Sequence, residues 1–314
     1  MNKLIVSSSP HIRTKNDTPR IMLDVIIALL PTTIAGIIIY GIRALLVVAT
    51  CVISAVVAEF LFNIITKKEQ TVFDLSAIIT GLILALTLRA DAPIWQCVVG
   101  SVFAIVVVKC FFGGLGCNFA NPAATGRVFL LICFSGTLAG GARPILTSNP
   151  DLVAGATPLE AIKNGVTELP SLVDMLLGKR GGAIGEACIV AIVIGFIYLV
   201  VRKVIHFETP LIMSATVFVL AFIVSGDVNI ALYHLLGGGL VFAAVFMATD
   251  YVTTPITRTG KMIFALGCGL ITFLIRVYGK YPEGASFAIL FMNIISPYIE
   301  NLTKPKAFGK RGNK

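Results

Sequence analysis

The most regular feature of the chain is a series of apolar runs, each close to the ~20 residues that an α-helix needs to cross a bilayer. Short polar connections separate most of them. The runs lie at residues 21–41, 44–65, 72–88, 94–112, 127–142, 185–201, 209–226, 230–249, 262–278 and 284–302. This pattern predicts an all-α polytopic membrane protein with about ten transmembrane helices.

A longer polar segment divides these runs into two sets. The predicted organisation is an N-terminal lead at 1–20, a first five-span repeat at 21–142, a loop segment at 143–184, a second five-span repeat at 185–302 and a basic tail at 303–314. Short segments of one half are similar in sequence to segments of the other. They are FDLSA at 73–77 with LIMSA at 211–215, and GSVFAIVVV at 100–108 with GLVFAAVFM at 239–247. Because each repeat holds an odd number of spans, the two repeats are predicted to be inverted relative to each other.

The composition excludes a soluble domain, since 57% of the 314 residues are hydrophobic, only 13% are charged and the mean hydropathy is +0.93. The net charge is +9, but the basic residues fall in short segments beside apolar runs, which is an orientation signal and not a nucleic-acid site. Their distribution predicts that both termini are cytoplasmic and that segment 143–184 is extracytoplasmic. The seven cysteines and three histidines show no metal-ligand spacing, so no metal site is predicted.

Segment 143–184 contains Thr157, which follows Gly155 and Ala156 and precedes Pro158. One interpretation is a helix N-cap, because TPLE at 157–160 has threonine at the cap, proline at the first helical position and glutamate at the third. The other is a hydroxyl exposed on non-helical backbone, because glycine allows many backbone conformations and a proline disfavours helix at the residue before it. In that case Thr157 is available for chemistry.

Asp24, Glu59, Lys109 and Asp250 are among the charged residues that lie within or at the ends of apolar runs. An unpaired charge inside a bilayer costs at least ~2.5 kcal/mol, so intramembrane charges are pointers to function. All four cluster toward the predicted cytoplasmic ends. They therefore either pair structurally and reach the headgroups, or contribute to an ion path, for which the three carboxylates are the candidates.

Two loops rich in Gly, Pro and polar residues, at 113–122 and 250–255, follow apolar runs in the two halves. One interpretation is non-helical backbone that lines a cavity within the membrane, which makes Asn118, Asn121 and Thr254 candidate pocket residues. The other is a pair of cytoplasmic connections with ordinary turn chemistry.

Several stretches together resemble one family. They are SSSPHIR at 7–13, IMLDVIIALLP at 21–31, NFANPA at 118–123, DLVAGAT at 151–157 and FMATDYVTTP at 246–255. The family comprises the D subunits of Rnf complexes, which are ion-translocating electron-transfer assemblies, and the B subunits of sodium-pumping NADH:quinone reductases. The resemblance runs nearly the length of the chain. The B subunits have a longer N-terminal extension than the lead at 1–20, which favours the D type.

The resemblance implies a covalent flavin. In this family a threonine in a pattern like Asp-x-x-(Ser/Thr)-Gly-Ala-Thr accepts FMN through a phosphoester made by a flavin transferase that uses FAD. Asp151, Gly155, Ala156 and Thr157 match the pattern, whereas Ala154 stands where Ser or Thr is usual. FMN is therefore expected on Thr157, and a non-covalent riboflavin is expected within the membrane, between the repeats.

The function that the resemblance implies is an electron relay between ferredoxin and NAD, coupled to translocation of Na+ or H+. The expected location is the cell (inner) membrane, in contact with lipid and with the A, B, C, E and G subunits of an Rnf complex. No complete active site is expected in this chain alone. The alternatives are a B-type subunit of the quinone reductase, a flavin-free channel or transporter of inverted-repeat fold, and a structural scaffold without cofactor.

Overall fold

The computed structural model describes residues 17–138, 140–142, 144–145, 157–164, 169–279 and 283–305. Within these ranges the chain is helical and has no strand, apart from a single β-bridge between Ala142 and Gly182. The first half contains α1 (Thr18–Tyr40), α2 (Ile42–Ile65), α3 (Ser76–Thr87), α4 (Ile94–Val102, continued by a π-helix at Phe103–Cys110), α5 (Pro122–Cys133) and α6 (Ser135–Leu138). The rest contains α7 (Pro158–Lys163), α8 (Leu172–Leu177), α9 (Ile189–Val201), α10 (Glu208–Ser225), α11 (Val228–Leu236), α12 (Leu240–Phe246), α13 (Arg258–Tyr278) and α14 (Ala285–Thr303). The predicted all-α fold is confirmed.

Every predicted span contains a helix, but the helices differ in length. Among the described residues, α1, α2, α10, α13 and α14 are long and apolar enough to cross a membrane, and the bent pair α11–α12 makes a sixth candidate. The other four predicted spans form shorter apolar helices: α3, α4 with its π-helical end, α5 and α9. By length, therefore, five or six spanning helices are found where about ten were predicted.

Two of the shorter helices, α3 and α12, are surrounded by protein. Helix α3 buries most of its residues, and α12 buries nearly all of its seven. The long helices α1 and α2 instead expose a band of large apolar side chains, among them Ile34, Ile38, Ile53 and Leu61. Non-helical backbone is tolerated at membrane depth where protein surrounds it, so α3 and α12 can stop short.

The two halves contact each other through their first helices and through their last helices. Helix α1 packs against α9, and α5 packs against α14, while α2 packs on α3 and α4 as α10 packs on α11, α12 and α13. The division into two five-span repeats stays a prediction. The short segments of similar sequence pair the wrong elements: Ser76 begins α3, whereas Ser214 lies in the middle of α10. Small and apolar residues recur in every span, so brief matches between spans do not identify equivalent helices.

Candidate functional site

Thr157 is the N-cap of α7, a helix of six residues that starts at Pro158. Its backbone is extended (φ −73°, ψ 153°), and its hydroxyl oxygen accepts a hydrogen bond from the Glu160 amide at 3.3 Å. The N-cap interpretation is confirmed. The expectation of an openly presented hydroxyl is wrong for this structure, because the Thr157 side chain is only 1% exposed. Asp151, Ala154, Gly155 and Ala156 lie outside the described residues.

The helix that Thr157 caps, α7, packs on a break between α11 and α12. Gly237, Gly238 and Gly239 form the break, and the last two have positive φ values of 62° and 63°. A β-carbon on Gly238 would lie 2.5 Å from Leu159 Cδ1, so only glycine admits the Leu159 side chain of α7. Leu159, two residues after the candidate flavin-bearing residue, is therefore packed directly against the broken helix.

Two buried arginines hold this break. Arg276 of α13 donates from Nη2 to the carbonyl oxygens of Gly237 (2.9 Å) and Gly238 (3.0 Å). Arg180 donates from Nη2 to the carbonyl oxygens of Leu236 and Glu186, both at 2.8 Å. The guanidinium groups thus satisfy carbonyls that the broken helix leaves without an intrahelical partner. Neither arginine was a sequence candidate, although an arginine inside the apolar run 262–278 was a usable signal.

A cavity of about 130 Å³ opens where α3, α5 and α12 meet the loops 111–121 and 247–257. Asn118, Asn121 and Asp250 all line it, so the structure brings together candidates that lie far apart in the sequence. Thr254 is not part of the lining, but its hydroxyl donates to the Asp250 carbonyl oxygen at 2.6 Å. Of the three candidate pocket residues, Asn118 and Asn121 therefore line the cavity and Thr254 does not. Their part in flavin binding stays a prediction.

The polar groups of this cavity are only partly satisfied. Asn121 donates from Nδ2 to the Met247 carbonyl oxygen at 3.4 Å and to the Asp250 carboxylate at 3.5 Å, both long. The Asn118 side-chain oxygen is buried and has no hydrogen-bond partner within the described part of the chain. Burial raises the pKa of the Asp250 carboxyl, and hydrogen bonds from the Val252 amide and the Thr253 hydroxyl oppose that shift. A ligand that donates a hydrogen bond to Asn118 would complete the site.

The other two candidate carboxylates lie beside the cavity in ion pairs. Glu59 binds Lys109 Nζ through both carboxylate oxygens at 2.8 Å, and Lys109, which lines the cavity, also donates to the Ser76 hydroxyl at 2.6 Å. Asp24 pairs with Arg202 at 3.1 Å and accepts from the Tyr198 hydroxyl at 2.9 Å. Structural pairing therefore accounts for the burial of both carboxylates. Their part in an ion path stays a prediction.

Comparison with known proteins identifies the family. The sequence model of the NQR2, RnfD, RnfE family matches residues 5–309. The chain belongs to this family. The match covers both helical halves, the Thr157 segment and the two cavity loops.

Individual relatives from this family are similar over nearly the whole chain. The D subunit of the Na(+)-translocating ferredoxin:NAD(+) oxidoreductase complex of Acetobacterium woodii is 47% identical over 309 residues, which cover 98% of this chain and 95% of the relative. The D subunit of the proton-translocating ferredoxin:NAD(+) oxidoreductase complex of Clostridium ljungdahlii is 39% identical, with 99% and 97% covered. The D subunit of the ion-translocating oxidoreductase complex of Stutzerimonas stutzeri is 36% identical, with 94% and 93% covered. The resemblance to the D subunits of Rnf complexes is confirmed.

Proposed function

We propose that this chain is the membrane-embedded D subunit of an ion-translocating ferredoxin:NAD+ oxidoreductase complex and that it relays electrons through FMN bound covalently to Thr157. The observation that carries the proposal is the near full-length similarity to D subunits of such complexes. The threonine motif in segment 143–184 supplies the attachment site. The neighbouring A, B, C, E and G subunits would hold the other redox centres.

The chemistry of attachment needs one oxygen nucleophile. In the proposed reaction, Thr157 Oγ1 attacks the FMN phosphorus of FAD, the pyrophosphate bond breaks, AMP leaves and the hydroxyl proton is lost. Among the described contacts Thr157 Oγ1 only accepts a hydrogen bond, so its own proton is not committed. The residue therefore fits an acceptor role chemically, while its burial requires a local opening around Thr157 for the transferase to reach it.

Once attached, FMN supplies one- and two-electron chemistry, and the protein holds and electrostatically tunes the ring. We place the Thr157 segment on the extracytoplasmic face, where it would take electrons from a flavin of a neighbouring subunit and pass them inward. Arg180 and Arg276 lie beneath α7 on the same side of the bundle. Their positive charges favour the reduced, more anionic state of a nearby flavin.

A second flavin, non-covalent riboflavin, is proposed for the cavity between the halves. The polar groups fit, because Asn118 and Asn121 can bond the edge of a flavin ring and the surrounding side chains are apolar. The volume of about 130 Å³ is below the ~300–1,000 Å³ typical of ligand pockets. Binding therefore requires the loops 111–121 and 247–257 to move apart.

Replacing Asn118 with alanine tests this pocket. We expect the purified complex to lose most of its acid-extractable, non-covalent flavin, because the variant removes the unpartnered acceptor in the cavity. Covalent FMN should stay unchanged. The matched control is Asn229→Ala, at the exposed start of α11. Equal non-covalent flavin in Asn118→Ala and wild type would place the riboflavin elsewhere.

Cation movement is part of the proposal, and the relatives are named for Na+ as well as for protons. Asp24, Glu59 and Asp250 are the proposed path residues. We expect Asp24→Asn to retain both flavins and to weaken the cation dependence of ferredoxin:NAD+ activity, because it removes a carboxylate beside the cavity. Asp17→Asn, at the exposed start of α1, is the control. A cation dependence identical in Asp24→Asn, Glu59→Gln and wild type would assign both carboxylates a structural role only.

The α11–α12 break, with its 49° bend, also suits a flavin-free channel or transporter. The colour of the purified chain distinguishes a flavin-free transporter from an electron carrier with covalent flavin. Chain purified from cells with an active flavin transferase should stay yellow after denaturation if it carries FMN. Co-purification with a ferredoxin-reactive subunit distinguishes the Rnf-type complex from a quinone-reducing one.

A further inference from the structure

A second, smaller cavity lies on the same side of the bundle as Thr157. It has a volume of about 30 Å³ and lies between α3, α5, α12 and the turn Ile184–Glu186. Two carboxylates and one guanidinium contribute to its lining, together with the glycines of the α11–α12 break. They are Glu186, Glu283, Arg127, Gly238 and Gly239. None of these side chains has a part in the flavin sites proposed above.

Glu186 is the group that this cavity leaves unsatisfied. Its residue is only 5% exposed. One carboxylate oxygen, Oε1, accepts from the Ala183 amide at 2.6 Å, whereas Oε2 has no hydrogen-bond partner within the described part of the chain. A β-carbon on Gly239 would lie 3.1 Å from Oε2, so this oxygen points at the glycine backbone that lines the cavity. A carboxylate oxygen buried without a partner costs folding free energy, so such an oxygen calls for a ligand.

Arg127 presents a complementary donor. Its Nη2 donates to Glu283 at 3.1 Å, but its Nη1 is buried and has no partner among the described residues. An unpaired donor and an unpaired acceptor thus line one cavity. A volume of about 30 Å³ exceeds the ~10–15 Å³ that one water needs, and a water here would accept from Arg127 and donate to Glu186.

The surrounding charges decide which ligand Glu186 takes. The groups whose charge acts on it are Tyr40, Arg127, Arg180, Arg276 and Glu283. The Nη2 atoms of Arg180 and Arg276 donate to backbone carbonyl oxygens. Neither Nη2 atom therefore donates to the Glu186 carboxylate. Two carboxylates are too few anionic ligands for a fixed metal cation, and the described part of the chain has no cluster of three or more His, Cys, Asp or Glu side chains that could hold one. A proton, in contrast, removes the buried charge and turns Oε2 into a donor.

We propose that Glu186 is a proton-exchanging site that takes up and releases a proton at Oε2 through water in the cavity. Chains of buried carboxylates and water are the usual proton carriers inside membrane proteins. The site lies against the backbone that connects α11 to α12, so its protonation changes the hydrogen bonding available at the break. It depends on no flavin, and it should persist in a chain that carries none.

The proposal can be tested by pH-difference infrared spectroscopy of the purified full chain in nanodiscs. We expect a protonated-carboxyl band that shifts in D2O and disappears in Glu186→Gln. The band should persist in Glu208→Gln, which removes a carboxylate at the other end of the bundle, and in Thr157→Val, which separates this test from the flavin proposal. A band that survives in Glu186→Gln overturns the assignment.

Substitutions of two residues near Glu186 should shift the titration midpoint of the band in opposite directions. Glu283→Gln removes a negative charge and should lower the titration midpoint of the band, while Arg127→Gln removes a positive charge and should raise it, each by about one pH unit or more. A midpoint that is the same in both variants overturns the proposal. Loss of the band on adding NaCl, but not choline chloride, at constant pH would overturn it in favour of a sodium site.

Discussion

Thr157→Val is expected to abolish covalent flavin while leaving the fold and membrane insertion intact. Valine has nearly the shape of threonine, so it fills the buried position at the start of α7 without a clash. It lacks the oxygen that forms the phosphoester. We expect in-gel flavin fluorescence of this chain to fall to background and the ferredoxin:NAD+ activity of the complex to be lost.

The structural cost of this substitution is small. Thr157 contributes one capping bond to the Glu160 amide, and losing an N-cap costs about 0.5–2 kcal/mol. That cost falls on a helix of six residues outside the long spanning helices. Thr157→Ser is the matched control, since it keeps both the cap and a hydroxyl and should retain flavin. In-gel fluorescence that persists in Thr157→Val would defeat the site assignment.

The largest expected loss of stability comes from Lys109→Met. The Lys109 and Glu59 side chains are 2% and 1% exposed, so the substitution leaves a carboxylate buried without its cation. Removing one partner of a buried ion pair typically costs about 3–5 kcal/mol. We expect a clear drop in the unfolding temperature of the detergent-solubilised chain.

The double variant Lys109→Met with Glu59→Gln provides the decisive comparison. It leaves no buried charge at this position, so it should be more stable than Lys109→Met alone. The control is Arg202→Met, because the Arg202 side chain is 54% exposed and such pairs contribute about 0–1 kcal/mol. If the double variant is no more stable than the single one, the Lys109–Glu59 pair is not what makes Lys109 necessary.

The sequence predicts where the helices lie better than how far they extend. Long apolar runs with clear polar ends, such as α1, α2 and α13, match the predicted spans closely. The run at 230–249 instead divides into α11 and α12, because three glycines allow backbone that two arginines from elsewhere in the chain then hold. Hydropathy averages over such a break and does not detect it.

The candidate site is predictable only where its residues carry a local signal. Asn118, Asn121 and Asp250 lie in loops whose composition predicts non-helical backbone, and the structure brings them to one cavity. Glu186 and Arg127 carry only the signal of a charge at the start of an apolar run, which does not say what either side chain contacts. Their importance arises from tertiary packing, which buries one oxygen and one nitrogen of different halves without partners. Local sequence does not encode that coincidence.

The intact mass of the chain shows whether Thr157 carries FMN. The chain would be purified from cells that co-express the flavin transferase, weighed whole and then mapped by peptides across residues 143–184. We expect one FMN phosphoester adduct, on the peptide that contains Thr157. An unmodified mass in the presence of an active transferase would contradict the electron-carrier account and favour the flavin-free transporter.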